Sequence, residues 1–513
     1  MSESASGGDR RDRGGRGRSG RERPPARHRA AGHRSAQRPA DRARRTDPAR
    51  LTAYTAMRQI AEGAYANLAL PALLREQRLT GRDAAFATEL VYGATRLRGL
   101  YDAIIGVVAD RPVDQIDDRV LDSLRLGIHQ LLAMRVPTHA AVDETVALAR
   151  QVNGAGAAGF VNALLRRVSE RDRDDWVQAV TASASDPVEA LALRTSHPLW
   201  VSKALRAALI GHGAVPPSEA DDALAALLEA DNTPARVSLV ARPGFATVDE
   251  LVAGGAEASH LSPYAATLLE GDPGAIRAVR EGRAAVQDEG SQLVALALAA
   301  ADVEGPAAAS ERWLDMCAGP GGKAGLLAAI AVARRIPLVA NEVSEHRAEL
   351  VRQTLGPAAR AAAASGVALE VRTGDGREIG SDEPATYTRV LIDAPCTGLG
   401  ALRRRPESRW RRTAGNVAAL AGLQRQLLVS GIEATAPGGL IAYVTCSPHL
   451  NETRFVVGDV LKKRNDVEII DARPFFLDAH GELVEELGEG PFVQLWPHVH
   501  GTDGMFFALL RKR

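Results

Sequence analysis

Three cysteines stand out in a chain of 513 residues, because each closes a short apolar run. Cys317 lies in Asp315-Met316-Cys317-Ala318-Gly319-Pro320-Gly321-Gly322-Lys323, Cys396 in Asp393-Ala394-Pro395-Cys396-Thr397-Gly398, and Cys446 in Thr445-Cys446-Ser447. So few cysteines cannot build a disulfide framework, and a reducing cytoplasm is expected. Two thiols across one cleft suit covalent attack on an electrophilic carbon, the thiolate being the nucleophilic form. Zinc is the competing use of cysteine. No Cys-x-x-Cys pair or histidine cluster accompanies these thiols, so no metal is expected.

Acids occupy comparable positions: Asn341-Glu342 ends one run, Gly374-Asp375-Gly376-Arg377 follows another, and Asp393 a third. The glycines at 319–322 would let backbone pass close beneath a ligand, which then meets the N–H groups of a following helix. Neither Gly-x-x-x-x-Gly-Lys-Ser/Thr nor Gly-x-Gly-x-x-Gly is present, so a triphosphate loop is excluded and a nicotinamide cofactor disfavoured. Glu342 stands where an adenosine ribose would offer its hydroxyls. Its blander use is to stabilise the amino end of the next helix.

The elements that must carry these groups are short apolar runs separated by helical stretches. The runs are Trp313–Met316, Pro337–Ala340, Leu369–Arg372, Val390–Ile392, Leu440–Val444, Val467–Ile470 and Met505–Leu510. They predict a seven-stranded, mostly parallel, doubly wound α/β sheet over 305–513, with the chemistry at the carboxyl ends of its strands. Upstream, Phe86, Leu90 and Val91, then Val120, Leu121, Leu124 and Ile128, then Phe160–Val168 repeat at helical spacing without strand-like alternation. Residues 49–175 therefore read as an all-α domain. Residues 176–304 read as a small α/β connector, with short strands around Val237–Val240 and Ala284–Gln287.

Apolar residues make up 45% and charged residues 25%, as in soluble globular proteins, and no apolar run approaches a membrane span. The formal net charge of zero hides an asymmetry. Residues 1–50 hold 15 Arg and no Lys against 6 acids, and the rest of the chain is correspondingly acidic. Residues 1–48 have almost nothing to bury and should be a disordered basic arm, serving either nucleic acid or solubility.

Asp315–Lys323, Asp393–Gly398 and Thr445-Cys446-Ser447 together resemble the cofactor loop and the two cysteine motifs of RNA 5-methylcytosine methyltransferases. Glu89–Arg96, Arg135–Glu144 and Val161–Arg166 resemble a NusB-like RNA-binding domain. The pairing is similar to the bacterial RsmB (Sun) family, the 16S rRNA (cytosine-967-C5)-methyltransferases, over roughly residues 50–513. The resemblance implies a Rossmann-like class I methyltransferase domain that uses S-adenosylmethionine. It places Cys317, Ala318, Gly319, Pro320, Gly321, Gly322 and Lys323 around that cofactor, Glu342 on its ribose and Asp375 beside its adenine. Asp393 would lie between cofactor and base, Cys446 would be the nucleophile, and Cys396 would assist product release.

Two positions depart from the family pattern. Glu342 replaces the usual Asp, and Asn451-Glu452-Thr453 stands where Glu-Glu-Asn is common, which leaves that segment without an assigned role. A flipped-out base also needs its RNA held. Arg403, Arg404, Arg405, Arg409, Arg411 and Arg412 follow the Cys396 motif and could line the cleft, with Arg96, Arg98, Arg166 and Arg167 extending the surface. His197, His449 and His498 read as structural. The expected partner is 16S rRNA or its precursor, bound by a cytoplasmic monomer. The alternatives are a tRNA cytosine-C5 methyltransferase and a non-catalytic NusB-like antitermination adaptor.

Overall fold

A computed structural model describes residues 46–308 and 310–513. The basic arm falls, up to residue 45, outside the described residues. Its last three positions belong to the fold instead. The Asp47 carboxylate accepts from the Arg50 N–H at 2.9 Å, and Pro48 occupies the first turn of α1, where a missing N–H costs nothing.

Eight helices follow: α1 (Pro48–Ala61), α2 (Ala66–Glu76), α3 (Gly81–Arg96), α4 (Arg98–Ala109), α5 (Asp118–Leu132), α6 (Thr138–Asn153), α7 (Ala155–Val168) and α8 (Arg173–Thr181). Their apolar stripes meet in two adjoining cores. Leu70, Leu90 and Val91 lie in one, and Leu100, Leu124, Ile128, Val161 and Leu165 in the other. No described helix is long and apolar enough to cross a membrane.

Helices α9 (Pro187–Arg194), α10 (Leu199–Gly211) and α11 (Ala220–Asn232) lead into a small sheet. Its strands are β1 (Val237–Ala241), β2 (Ala256–Ala258), β3 (Ala265–Leu268) and β4 (Ala284–Val286), in the order β2-β3-β1-β4 and antiparallel throughout. β2 and β3 are too short and irregular to announce themselves in sequence.

The last 200 residues form β5 (Trp313–Asp315), β6 (Leu338–Glu342), β7 (Leu369–Thr373), β8 (Tyr387–Asp393), β9 (Thr435–Thr445), β10 (Val467–Ile470), β11 (Val493–Gln494) and β12 (Phe506–Lys512). The sheet runs β10-β12-β9-β8-β5-β6-β7, with β11 paired on β12. All seven expected strands are present, and β11 is an addition. The five strands from β7 to β9 are parallel, and β10–β12 pair antiparallel.

Strand order reverses between β5 and β8, opening a crevice at their carboxyl ends, the usual place for a ligand in such sheets. Helix Gly322–Ala333 leaves β5 at that point. It is apolar nearly all round because it is covered on several sides.

Candidate active site

The register sets the two thiols side by side. Asp393 pairs with Val444 on β9, so the turns that follow β8 and β9 emerge at the same level. The Cys396 and Cys446 sulfurs lie 3.4 Å apart, within hydrogen-bond reach. Lys323, in the first turn of its helix, crosses from β5 and donates from Nζ to Asp393 Oδ2 at 2.9 Å.

The electrostatics divide the pair. The hydrogen bond shared with Cys396 holds the Cys446 thiol below its ordinary range; the Lys323 ammonium acts the same way, against burial and nearby carboxylates. The same sulfur contact and burial push Cys396 well up. Cys446 is therefore the more acidic thiol of the pair and Cys396 the less acidic. Cys317 is different: burial, then Asp315, pushes its thiol well up, and its side chain packs against the apolar core under β5 and β8. It is a neutral thiol of the loop wall.

The glycine loop is held by its neighbours. Asn341 Nδ2 donates to the carbonyls of Met316 at 3.1 Å and Gly374 at 3.0 Å, tying the ends of β5, β6 and β7 together. Glu342 is buried; its Oε2 accepts from Gly319 N–H at 3.1 Å and its Oε1 from Ser344 N–H at 3.0 Å. A Cβ on Gly319 would come within 2.3 Å of Glu342 Oε2, so any side chain there would have to displace the Glu342 carboxylate from its place. Gly321 has φ +114°, a left-handed conformation that side chains resist.

Asp375 is gripped by the guanidinium of Arg377, which keeps its carboxyl below the ordinary range. Asp315 is 1% exposed and neither carboxyl oxygen has a hydrogen-bond partner. Burial, then the charge of Asp393, pushes it up to about 8. Among the ion pairs of the described residues, Glu342 and Asp393 pair with Arg347 and Lys323 and Asp315 pairs with none, so acids outnumber cations here. Among the described residues no cluster of three or more His, Cys, Asp or Glu is arranged to hold a metal ion.

The arginine run after Cys396 requires a correction. Arg409 is 0% exposed and donates to Asn232 Oδ1 at 2.9 Å and to the carbonyls of Asp231 and Ser196. Arg411 donates to the carbonyls of Ile60 and Ala64, and Arg404 grips the Asp503 carboxylate with two nitrogens. Arg405 lies over the Tyr65 ring. Between them, Trp410 donates from Nε1 to the Thr95 carbonyl at 3.0 Å and fills the space left by Gly99.

The segment is thus a clamp fastening the helical domain and connector to the α/β domain. Arg409 and Arg411 are spent on it, while Arg404 is spent on Asp503 within the α/β domain. Arg96 is buried and Arg98 lies over Trp410, so these two also face the clamp, whereas Arg166 stays at the surface. Arg403 and Arg412 are half-buried. A row of arginines looks the same in sequence whether it meets phosphates or carbonyls.

Sequence reasoning also missed Asn341 as a tie and Glu452 as a buried acid. Glu452 could have been suspected, as a charged residue just ahead of the apolar turn Phe455-Val456-Val457.

The family described as 16S rRNA methyltransferase RsmB/F matches residues 306–511, and the NusB family matches residues 47–170. The chain is 48% identical over 474 residues to Rv1407 of Mycobacterium tuberculosis (strain ATCC 25618 / H37Rv), named as a methyltransferase with no substrate in its name. That match covers 92% of this chain and 98% of the relative. It is 30% identical over 478 residues to the ribosomal RNA small subunit methyltransferase B of Vibrio cholerae, covering 90% and 97%. The crystal structure of PH0851 superposes with a TM-score of 0.72 at 20% identity, covering 91% of this chain and 100% of that one, which shows a shared fold. With the cysteine pair, the glycine loop and the helical domain in place, the chain belongs to the RsmB/F family of S-adenosylmethionine-dependent RNA cytosine-C5 methyltransferases, and carries a NusB-family domain ahead of the catalytic one.

Proposed function

We propose that this protein methylates C5 of a cytosine in 16S ribosomal RNA through a transient bond between Cys446 and C6 of the base. The observation that carries the mechanism is the thiol pair at 3.4 Å, with a Lys323–Asp393 pair beside it that favours ionisation of Cys446 over Cys396. The ribosomal target is supported by the family description and by relatives such as that of Vibrio cholerae, named for the small-subunit RNA.

Carbon 5 of cytosine is a weak nucleophile. Addition of the Cys446 thiolate at C6 turns the ring into an enamine, which makes C5 nucleophilic. Negative charge that develops on the ring is relieved by a proton held at N3, a task suited to Asp393 with Lys323 behind it. Once C5 carries the new carbon, its proton passes to water as the base, the C5–H electron pair re-forms the C5–C6 double bond, and the C6–sulfur bond breaks, which returns the thiolate to Cys446. Cys396, in contact with that sulfur, is placed to assist this exit.

S-adenosylmethionine, when bound, supplies an electrophilic methyl group on a positively charged sulfur. The crevice fits such a ligand: its surplus of carboxylates and the orphaned Asp315 are what a sulfonium and an ammonium group would balance. Residues 317–323 would hold it, with Glu342 for the ribose hydroxyls and Asp375 for the adenine.

The test uses purified protein, methyl-labelled cofactor and unmodified 16S rRNA or tRNA. Label is expected in cytosine of the ribosomal RNA, lost in Cys446→Ala. Cys396→Ala is expected to leave a protein–RNA adduct that survives denaturing gels. Label in tRNA alone would refute the target. Full activity of Cys446→Ala would refute the nucleophile.

A further inference from the structure

The segment between Cys446 and the helix Arg454–Leu461 holds an acid with no assigned task. Glu452 is 0% exposed, yet its carboxylate meets four donors. Oε1 accepts from the Thr397 N–H at 2.8 Å and from Gln424 Nε2 at 3.4 Å. Oε2 accepts from the Thr397 hydroxyl at 2.5 Å and the Ser447 hydroxyl at 2.7 Å. Thr397 follows Cys396 and Ser447 follows Cys446 in the chain. One buried side chain therefore grips both residues adjacent to the two thiols.

Gln424 extends the grip by donating to the Pro395 carbonyl at 2.8 Å, and the Tyr443 hydroxyl fixes the Glu452 backbone by donating to its carbonyl at 2.7 Å. No Lys or Arg pairs with Glu452 among the ion pairs of the described residues. A buried carboxylate without a cation is costly, and four donors are what make it tolerable.

We propose that Glu452 is a positioning residue that ties the Cys396 turn to the end of β9 and keeps the proton of the thiol pair on Cys396. This rests on the covalent reading of Cys446 and deepens it. The tether sets the sulfur–sulfur contact, without which neither thiol can influence the other. The charge acts on the nearer partner: Glu452 opposes ionisation of Cys396, and does not figure among the main influences on Cys446. The charged groups facing the pair from other elements are Lys323, Arg404, Asp393 and Asp503, with Tyr443 beneath and His449 on the turn of Glu452 itself. None of these others binds both thiol turns at once.

The test reads thiol chemistry without RNA or cofactor. Full-length protein is treated briefly with limiting iodoacetamide from pH 6 to 9, and the ratio of Cys446 to Cys396 modification is read by peptide mass spectrometry. Wild type is expected to favour Cys446 strongly. Glu452→Gln keeps the shape and removes the charge, and should lower the preference about tenfold, the equivalent of one pKa unit of relative acidity. Glu452→Asp keeps the charge and should retain most of the preference.

An unchanged ratio in a folded Glu452→Gln protein, or an equal loss in both variants, overturns the proposal. If Glu452→Gln fails to fold, Thr397→Val decides, since it removes a donor but leaves the charge. The preference must then hold, and its loss overturns the proposal. Full methyl transfer by Cys446→Ala would sink the catalytic reading while leaving the labelling ratio as measured, so the two failures are distinguishable.

Discussion

Replacing Arg409 with methionine separates two uses of a guanidinium that sequence cannot tell apart. The side chain is fully buried and donates to Asn232, Asp231 and Ser196 across the joint between domains. Methionine fills similar space but leaves three acceptors, two of them buried, without their donor. Removing one partner from a buried charged network costs about 3–5 kcal/mol. The same change withdraws the cation facing Asp231, whose carboxyl burial already pushes up to about 7.

The thermal midpoint should therefore fall clearly, while the folded fraction binds RNA as before. The slope of log affinity against log salt should also be unchanged. If Arg409 contacted phosphate instead, the opposite pattern would appear: stability within about 0.5 kcal/mol of wild type, and a salt slope shallower by about one unit. That second pattern, read from thermal melts and binding titrations at several salt concentrations, would refute the clamp.

Three further outcomes follow from the same geometry. Lys323→Met removes the ammonium that helps hold Cys446 as thiolate, so its alkylation rate at neutral pH should drop by about tenfold or more, and an unchanged rate would discount that cation. Asp315 binds its proton in the folded state up to about pH 8, whereas unfolded chain releases it near 3.8, so its contribution to stability falls as pH rises between those values. A cationic cofactor beside it favours ionisation. Binding should thus release a proton and tighten with rising pH, and Asp315→Asn should abolish both effects; calorimetry in buffers of different ionisation enthalpy checks this, and proton uptake would contradict it. Asn341→Ala loses two hydrogen bonds that tie three strand ends, with an expected cost of about 2 kcal/mol in denaturant melts and a weaker grip on the cofactor; loss of neither would show the tie to be idle.

Much of this protein was legible along the chain because its signals are local. The strands from β5 to β12 other than β11 show as short apolar runs, most clearly β8, β9 and β12, whose residues are buried with little interruption. The helices of the first domain show through their spacing, and the glycine loop and two cysteine motifs through residue types that few other tasks require. β2 (Ala256–Ala258) and β3 (Ala265–Leu268) escaped because three or four residues, mostly alanine, leave almost no pattern. What only the tertiary structure decided were relations between distant residues. Cys396 and Cys446 are 50 positions apart, and their contact comes from parallel pairing of β8 with β9. The activation of Cys446, the grip of Glu452 and the diversion of Arg409 from phosphate to carbonyls all depend on which groups share a low-dielectric interior. A side chain's charge is written in the sequence, but the partner that gives the charge its effect is chosen by the fold.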